Sequence, residues 1–287
     1  MDPVMLQLAA RAREDRATVA AAVSSEPAVM ALGDQYAQLR CPDERRREGA
    51  TYTPRPLVTD ILERDISLDG ISRIVDLGAG TGRFLLEAAT HAPSAQLWAV
   101  EPDPVARMIL WIRASELGLR DRLVVSPGSF HELRLPSIKG RTAFVGNPPY
   151  VRHHHIDPKI KAWARTAWEG LGLRADLRAG LHVHALAAIA TQATQGDRGA
   201  LLLPVEWMRV NYGRLARALC VGTLGLRGLT VYEPRNSLFK DAFVSSVVTG
   251  FTVGSRAPWV YVRAVDPGGA RVATRRLLRE SLSGADG

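Results

Sequence analysis

The residues best suited to chemistry are Asn147, Pro148, Pro149 and Tyr150, which stand together near the middle of the chain. They follow an apolar run and one glycine, a pattern that predicts a buried strand ending in a turn. Asn147 would then lie at the carboxyl end of a strand, where open α/β sheets bind their ligands. The Asn147 amide oxygen and the Pro148 carbonyl suit a substrate with an exocyclic amine, and the Tyr150 ring suits a planar group that stacks on it.

A glycine-rich turn precedes this stretch. The run Ile74–Leu77 predicts a strand that carries Asp76, and an Ala- and Leu-rich helix follows the turn. Three glycines between them let the backbone approach a ligand closely at a helix N-terminus: Gly78, Gly80 and Gly82. The next predicted strand, Gln96–Val100, ends in Glu101, whose carboxylate suits the two hydroxyls of a ribose. Loop, acid and spacing together predict a nucleoside-type cofactor.

A third strand is predicted at Leu123–Val125, and Ser129 and Phe130 follow it on the same edge of the sheet. Phe130 could flank an adenine ring or could belong to the hydrophobic core, and the sequence leaves both interpretations open. Strands and helices alternate along the chain, which predicts an α/β fold with a doubly wound, mostly parallel, seven-stranded sheet and an N-terminal helical arm.

The other predicted elements are less directly tied to chemistry. The arm is predicted as helices over residues 3–23 and 25–39. Further helices are predicted at Pro56–Arg64, Leu181–Thr194, Trp207–Leu219 and Ala273–Leu282, and further strands at Ala143–Val145, Ala200–Leu203, Leu229–Tyr232, Val244–Val253 and, beyond the seven, Trp259–Val265. Arg152–Arg165 is predicted as a basic loop beside the site. Its three adjacent histidines do not predict a metal site, because neighbours in sequence splay apart and have no acid or cysteine partner at ligand spacing.

Composition restricts the class of protein. The 287 residues, 46% of them hydrophobic, are enough for a full core. A net charge of +8 favours a polyanionic partner such as nucleic acid over a compositional bias of the genome. The two cysteines lie far apart and without metal spacing, which fits a reducing, cytoplasmic compartment. No apolar run approaches the length of a membrane span.

With these motifs in this order, the chain resembles class I S-adenosylmethionine-dependent methyltransferases. Within them it is similar to amino-group DNA methyltransferases of the adenine-N6, gamma-ordered kind, because the glycine-rich motif precedes Asn-Pro-Pro-Tyr and Tyr52-Thr53-Pro54 precedes both. The resemblance covers roughly Gly49–Val253. It implies methylation of adenine N6 in DNA of restriction–modification type, by base flipping and direct in-line transfer, with S-adenosyl-L-methionine as the cofactor.

The resemblance also implies roles for single residues. The cofactor would be held by Tyr52, Thr53, Pro54, Asp76, Gly78, Gly80, Gly82, Glu101, Ser129, Phe130 and Asn147. Asn147 and Pro148 would accept hydrogen bonds from the target N6, and Tyr150 and Phe239 would pack on the flipped base. Ser129 departs from the family pattern, which has an aspartate that bonds the adenine amine of the cofactor.

The resemblance implies three segments: a helical extension (residues 1–47), the methyltransferase domain (residues 48–254) and a short tail (residues 255–287). About 34 residues after Val253 are too few for the target-recognition domain of the family. We therefore expect DNA as the partner, together with a specificity subunit or a second copy of the chain, and no membrane or metal. The alternatives are a methyltransferase acting on RNA adenine or protein glutamine, and a non-catalytic or partner-dependent subunit of a modification complex.

Overall fold

The computed structural model of the protein describes residues 32–37, 40, 49, 52–211, 213–232, 246–265 and 271–283. Residues 32–37 are helical, in agreement with the second predicted helix of the arm. The predicted helix over residues 3–23 and the predicted base contact at Phe239 lie outside the described residues. Within the described part of the chain, no helix has the length and apolar character needed to cross a lipid bilayer.

A mixed sheet of nine strands runs through the described part of the chain in the order β3-β2-β1-β4-β5-β7-β6-β8-β9. Its strands are β1 (Ile71–Asp76), β2 (Gln96–Val100), β3 (Leu123–Ser126), β4 (Arg141–Gly146), β5 (Arg198–Pro204), β6 (Leu226–Tyr232), β7 (Ser246–Thr252), β8 (Trp259–Val265) and β9 (Arg271–Leu278). Strands β1 to β5 pair in parallel, as do β6 and β8, whereas β7 is antiparallel to β5 and β6, and β9 is antiparallel to β8. The prediction of a mostly parallel α/β sheet is confirmed, but the predicted count of seven strands is wrong because β8 and β9 extend the sheet.

Helices cover both faces of the sheet. They are α1 (Arg55–Arg64), α2 (Arg83–His91), α3 (Pro104–Glu116), α4 (Pro158–Gly170), α5 (Leu181–Gln192), α6 (Gly213–Val221) and the short α7 (Glu280–Ser283). Alternate side chains of the central strands enter two cores: Ala143 and Val145 pack with α1, α2 and α3, while Phe144 packs with α4, α5 and α6. This alternation follows from the period of two in a strand and gives a three-layer α/β/α arrangement.

Two basic segments were predicted wrongly. The predicted loop Arg152–Arg165 contains the 3-10 turn His153–His155 and most of α4, which Asp157 caps by accepting a hydrogen bond from the Lys159 amide at 2.7 Å. Helix α4 forms because its apolar residues recur every three or four positions and bury one face.

The predicted helix Ala273–Leu282 is the second error. Most of it belongs to strand β9, whose backbone pairs along its length with β8, and α7 begins only at Glu280. The predicted helix Trp207–Leu219 also begins later, at Gly213, after the 3-10 turn Val205–Met208.

The order of the strands reverses between β1 and β4. From β1 the chain builds outward through β2 and β3, and it then returns to place β4 on the other side of β1. Such a switch point leaves a crevice at the carboxyl ends of the two strands, where ligands bind in open α/β sheets. Asp76 ends β1 and Gly146 ends β4, so both motifs singled out in the sequence flank this crevice.

Candidate active site

The ends of β1 and β4 fit directly against each other. Gly146 has a φ of +135°, and a Cβ there would overlap the carboxylate of Asp76, so this position requires glycine. The amide of Gly78 donates to Oδ1 of Asp76 at 3.1 Å. A Cβ on Gly78 would stand 3.2 Å from Cδ of Pro149 and 3.6 Å from the Asn147 carbonyl oxygen. The glycine-rich turn and the Asn-Pro-Pro-Tyr turn therefore form one site.

A hydrogen bond orients the side chain of Asn147. Its Nδ2 donates to Oγ1 of Thr53 at 3.1 Å, and Thr53 is 3% exposed. Because the amide nitrogen faces Thr53, the Asn147 carboxamide oxygen is the atom that can accept from a substrate amine. Thr53 is held in turn: Nη1 of Arg83 donates to its carbonyl at 2.8 Å, and the same guanidinium pairs with Asp34.

Tyr150 is fixed at both ends. Its hydroxyl donates to the Leu202 carbonyl at 3.0 Å, and its amide donates to the Gly49 carbonyl at 3.0 Å. The ring of His182 meets the Tyr150 ring edge to face, with centroids 5.8 Å apart and planes at 75°. Burial, with a smaller effect from Glu206, raises the pKa of Tyr150 well above its usual value, so the hydroxyl stays protonated. Tyr150 can thus offer a rigid ring but not a base.

The carboxylate of Glu101 organises the cofactor side. Its Oε2 accepts from the Gly80 amide at 2.7 Å, and its Oε1 accepts from the Asp103 amide at 2.8 Å. Burial raises the pKa of Glu101, although both amides act in the opposite direction. Each carboxylate oxygen has lone pairs beyond the one that an amide uses, so the two hydroxyls of a ribose can still donate to it.

Asp76 is the most perturbed acid of the site. Burial raises its pKa to about 7, with the Gly78 amide lowering it and Glu101 raising it further. A buried carboxylate of this kind is stabilised in its charged form by a nearby cation. S-adenosylmethionine carries an ammonium and a sulfonium, so the two acids and the glycine turn fit this cofactor.

The helical segment 32–37 packs on the same side. Tyr52 lies beside the glycine turn and meets the Tyr36 ring edge to face, with centroids 6.4 Å apart. The Tyr36 hydroxyl donates to the carboxylate of Asp103, and Arg40 pairs with that carboxylate at 3.2 Å. The segment thus contacts Asp103, whose amide donates to Glu101.

Ser129 and Phe130 lie after β3, as predicted. Ser129 forms a capping box with Glu132, whose carboxylate accepts from the Ser129 amide at 3.0 Å. Phe130 is 3% exposed and packs edge to face on Trp163, with centroids 5.9 Å apart. Its burial favours the core interpretation, and the contacts of both residues with a cofactor stay predictions.

The structure brings most of the predicted residues to one edge of the sheet. Pro54 immediately precedes α1, and Gly82, with a φ of +86°, immediately precedes α2. Three contributors were missed by sequence reasoning: Arg83, Asp103 and His182. Only Asp103 had a local signal, since an aspartate before a proline is typical of a helix start, and its side chain caps α3.

Comparisons with known proteins agree with this geometry. The type II methyltransferase M.XamI of Xanthomonas campestris pv. amaranthicola is 42% identical over 220 residues, which are 77% of this chain and 42% of that protein. The chain resembles the class I methyltransferases. No protein-family model matches the chain.

Solved structures show the same fold. The type IIG restriction endonuclease BpuSI matches 88% of this chain and 33% of its own, with a TM-score of 0.65 and 20% identity. The methyltransferase subunit of a type I restriction-modification system from Streptococcus thermophilus matches 84% of this chain and 53% of its own, with a TM-score of 0.61 and 16% identity.

The comparisons confirm the predicted family resemblance, fold class and cofactor, S-adenosyl-L-methionine. The chain spans about two fifths of the length of M.XamI.

Proposed function

We propose that this methyltransferase methylates the N6 amine of adenine in DNA, as part of a restriction-modification system. The observation that carries the proposal is the orientation of Asn147, which Thr53 holds at the carboxyl end of β4. An oxygen acceptor on a rigid turn, beside a buried cofactor site and a fixed aromatic ring, suits a planar ring with an exocyclic amine. The similarity to M.XamI, named a type II methyltransferase, supports the proposal.

The chemical problem is that adenine N6 is a poor nucleophile, because its lone pair is delocalised into the ring. The Asn147 carboxamide oxygen and the Pro148 carbonyl each accept a hydrogen bond from one N–H of the amine. These bonds favour a tetrahedral nitrogen with a localised lone pair. When bound, S-adenosylmethionine supplies an electrophilic methyl group on a sulfonium. The residues contribute by positioning and by electrostatics at the nitrogen, and the amine proton leaves to water.

The role of Tyr150 is to hold the target base. An adenine must leave the duplex to reach Asn147, and unstacking it costs a few kcal/mol. Stacking on an aromatic ring offsets part of that cost, about 1–3 kcal/mol per base. The Tyr150 ring suits this task because its hydroxyl and amide are both tied to neighbouring backbone carbonyls.

We propose DNA together with a specificity subunit or a second copy of the chain as the partners. The likeness to a methyltransferase subunit of a type I system supports a partner polypeptide. Size-exclusion chromatography with light scattering measures the molar mass of the protein with and without a DNA duplex. The mass shows whether one or two copies of the chain are present in each case.

The substrate class is tested by incubating the purified protein with methyl-labelled cofactor and equal amounts of unmethylated DNA, RNA or protein extract. We expect the label in DNA. Label in RNA or in protein, with none in DNA, would replace the proposed substrate class. Gly146→Ala disrupts the fit between β1 and β4 and serves as the inactive control.

A further inference from the structure

A cleft of about 510 Å³ that two arginines and a histidine line opens among the loops of the protein. Its lining residues come from three loops: His153, Arg178, Arg209, Val210 and Asn211. His153 lies just after Tyr150, and Arg209 follows the 3-10 turn at the end of β5. Because β4 and β5 are neighbouring parallel strands, both loops leave the sheet at the edge that carries Asn147. The cleft therefore lies on the same edge of the sheet as Asn147.

The charge of the cleft is positive. Arg178 is bound to Asp176 through two side-chain hydrogen bonds of 3.0 and 2.8 Å, so these two charges offset each other. Arg209 is exposed and makes no side-chain hydrogen bond or ion pair with the residues that the structure describes. Glu206 precedes Arg209 in the chain and forms no ion pair with it in the described structure; together with burial, Glu206 raises the pKa of Tyr150.

His153 lies near positively charged side chains of the cleft. Burial lowers its pKa, and His154, Lys161 and Arg178 lower it further, whereas Asp176 raises it. The centroids of the His153 and His154 rings lie 3.6 Å apart, and His153 lines the cleft. A lowered pKa leaves the His153 imidazole neutral at pH 7, so the positive charge of the cleft comes from its arginines.

We propose that this cleft binds the sugar-phosphate backbone of the target strand next to the base that enters the site. A guanidinium and a side-chain amide can both donate hydrogen bonds to phosphate oxygens. Such contacts position a strand without reading its sequence. The volume lies within the range of ligand-binding clefts, about 300–1,000 Å³. The proposal rests on the proposed function, because it assigns the backbone of the same DNA substrate to this cleft.

The salt dependence of DNA binding tests the cleft. Each phosphate contact contributes about −0.9 to the slope of log K against log salt. Arg209→Ala should make the slope shallower by about 0.9. The ratio of the wild-type to the Arg209→Ala affinity for DNA should therefore shrink about 3.5-fold between 50 and 200 mM salt. Arg209→Lys should keep the slope, because an ammonium still neutralises one phosphate, but should bind less tightly.

The matched control is Arg120→Ala. Arg120 is also exposed, but it lies at the amino end of β3, on the opposite edge of the sheet. Fluorescence anisotropy with one labelled duplex, without cofactor, gives the slope for all four proteins, and melting temperatures show that each is folded. A wild-type slope in Arg209→Ala, or an equal loss in Arg120→Ala, would overturn the proposal.

The outcome is distinguishable from a failure of the proposed function. If the wild type transfers no methyl group to DNA, the function fails while the slopes still decide the cleft. If the wild type methylates DNA and Arg209→Ala keeps its slope, the cleft proposal alone fails. A competition experiment adds polyglutamate or competitor DNA at equal total charge. If polyglutamate displaces the labelled duplex as effectively as the competitor DNA, the cleft would be assigned to an acidic protein and the proposal would be overturned.

Discussion

Replacing Thr53 with valine removes the hydroxyl that orients Asn147 while keeping the shape of the side chain. The lost bond is the 3.1 Å contact from Nδ2 of Asn147. A neutral hydrogen bond of this kind contributes about 0.5–1.5 kcal/mol net. If that energy holds the carboxamide in its productive orientation, Thr53→Val slows methyl transfer by about 2- to 12-fold.

The assay must separate this effect from cofactor binding, because Thr53 is also predicted to contact the methionine part of the cofactor. We would measure single-turnover transfer to DNA at saturating cofactor and saturating DNA, with the cofactor dissociation constant determined separately by calorimetry. The matched control is Thr53→Ser, which keeps the hydroxyl and should transfer at close to the wild-type rate. Equal rates for Thr53→Val and the wild type at saturation would refute the positioning role.

Three further predictions follow from the buried groups of the site. Glu101→Gln places an N–H₂ group against one of two backbone amides and removes the charge that the ribose hydroxyls would meet. Calorimetry should therefore show cofactor binding weakened by about 10- to 100-fold. An unchanged dissociation constant would place the ribose elsewhere. Gly146→Ala meets the Asp76 carboxylate at a φ of +135°, so denaturant unfolding should show a loss of about 2–5 kcal/mol, and wild-type stability would contradict this packing. Burial lowers the pKa of His182 and of His184 from 6.5 to about 4. As the pH falls, these histidines therefore bind protons in the unfolded chain before they do so in the folded protein. The free energy of unfolding should then fall as the pH drops from about 6.5 to about 4. His182→Phe should reduce that fall, and an unchanged pH dependence of unfolding would show that His182 is not buried in its neutral form.

The central motifs were predictable because their signals are local. An apolar run that ends in a glycine or an acid predicts a strand and its end, so the sequence alone placed Asn147 and Glu101 immediately after strands. Strand β2 has the predicted bounds, Gln96–Val100. The alternation of strands and helices then indicated a parallel sheet, whose carboxyl edge collects both motifs.

The errors lie where tertiary pairing overrides local composition. Arg271–Leu278 is rich in arginine and leucine, which suits a helix, but it pairs with β8 and places Arg276 over the Trp259 ring at 5.2 Å. The signal that could have indicated a hairpin is the turn-forming run Pro267–Gly269 between the two segments. Similarly, Asp157-Pro158 is the helix start that could have identified α4.

The contacts that support the site were beyond sequence reasoning for a different cause. Arg83 reaches the Thr53 carbonyl and Tyr36 reaches Asp103 across long stretches of chain. His182 meets Tyr150 only because α5 packs behind the Asn-Pro-Pro-Tyr turn. Such pairs depend on how helices pack on the sheet, and neither periodicity nor spacing encodes that in a single sequence.

The central claim is that the Asn147 oxygen accepts from an adenine amine during methyl transfer. We would incubate the wild type and Asn147→Ala with methyl-labelled cofactor and unmethylated DNA, digest the DNA to nucleosides, and identify the labelled nucleoside by mass spectrometry. Calorimetry on both proteins shows whether the cofactor still binds. The account predicts N6-methyladenine from the wild type and none from Asn147→Ala, with cofactor affinity nearly equal in the two. Label in a cytosine derivative, or N6-methyladenine formed by Asn147→Ala at the wild-type rate, would contradict it.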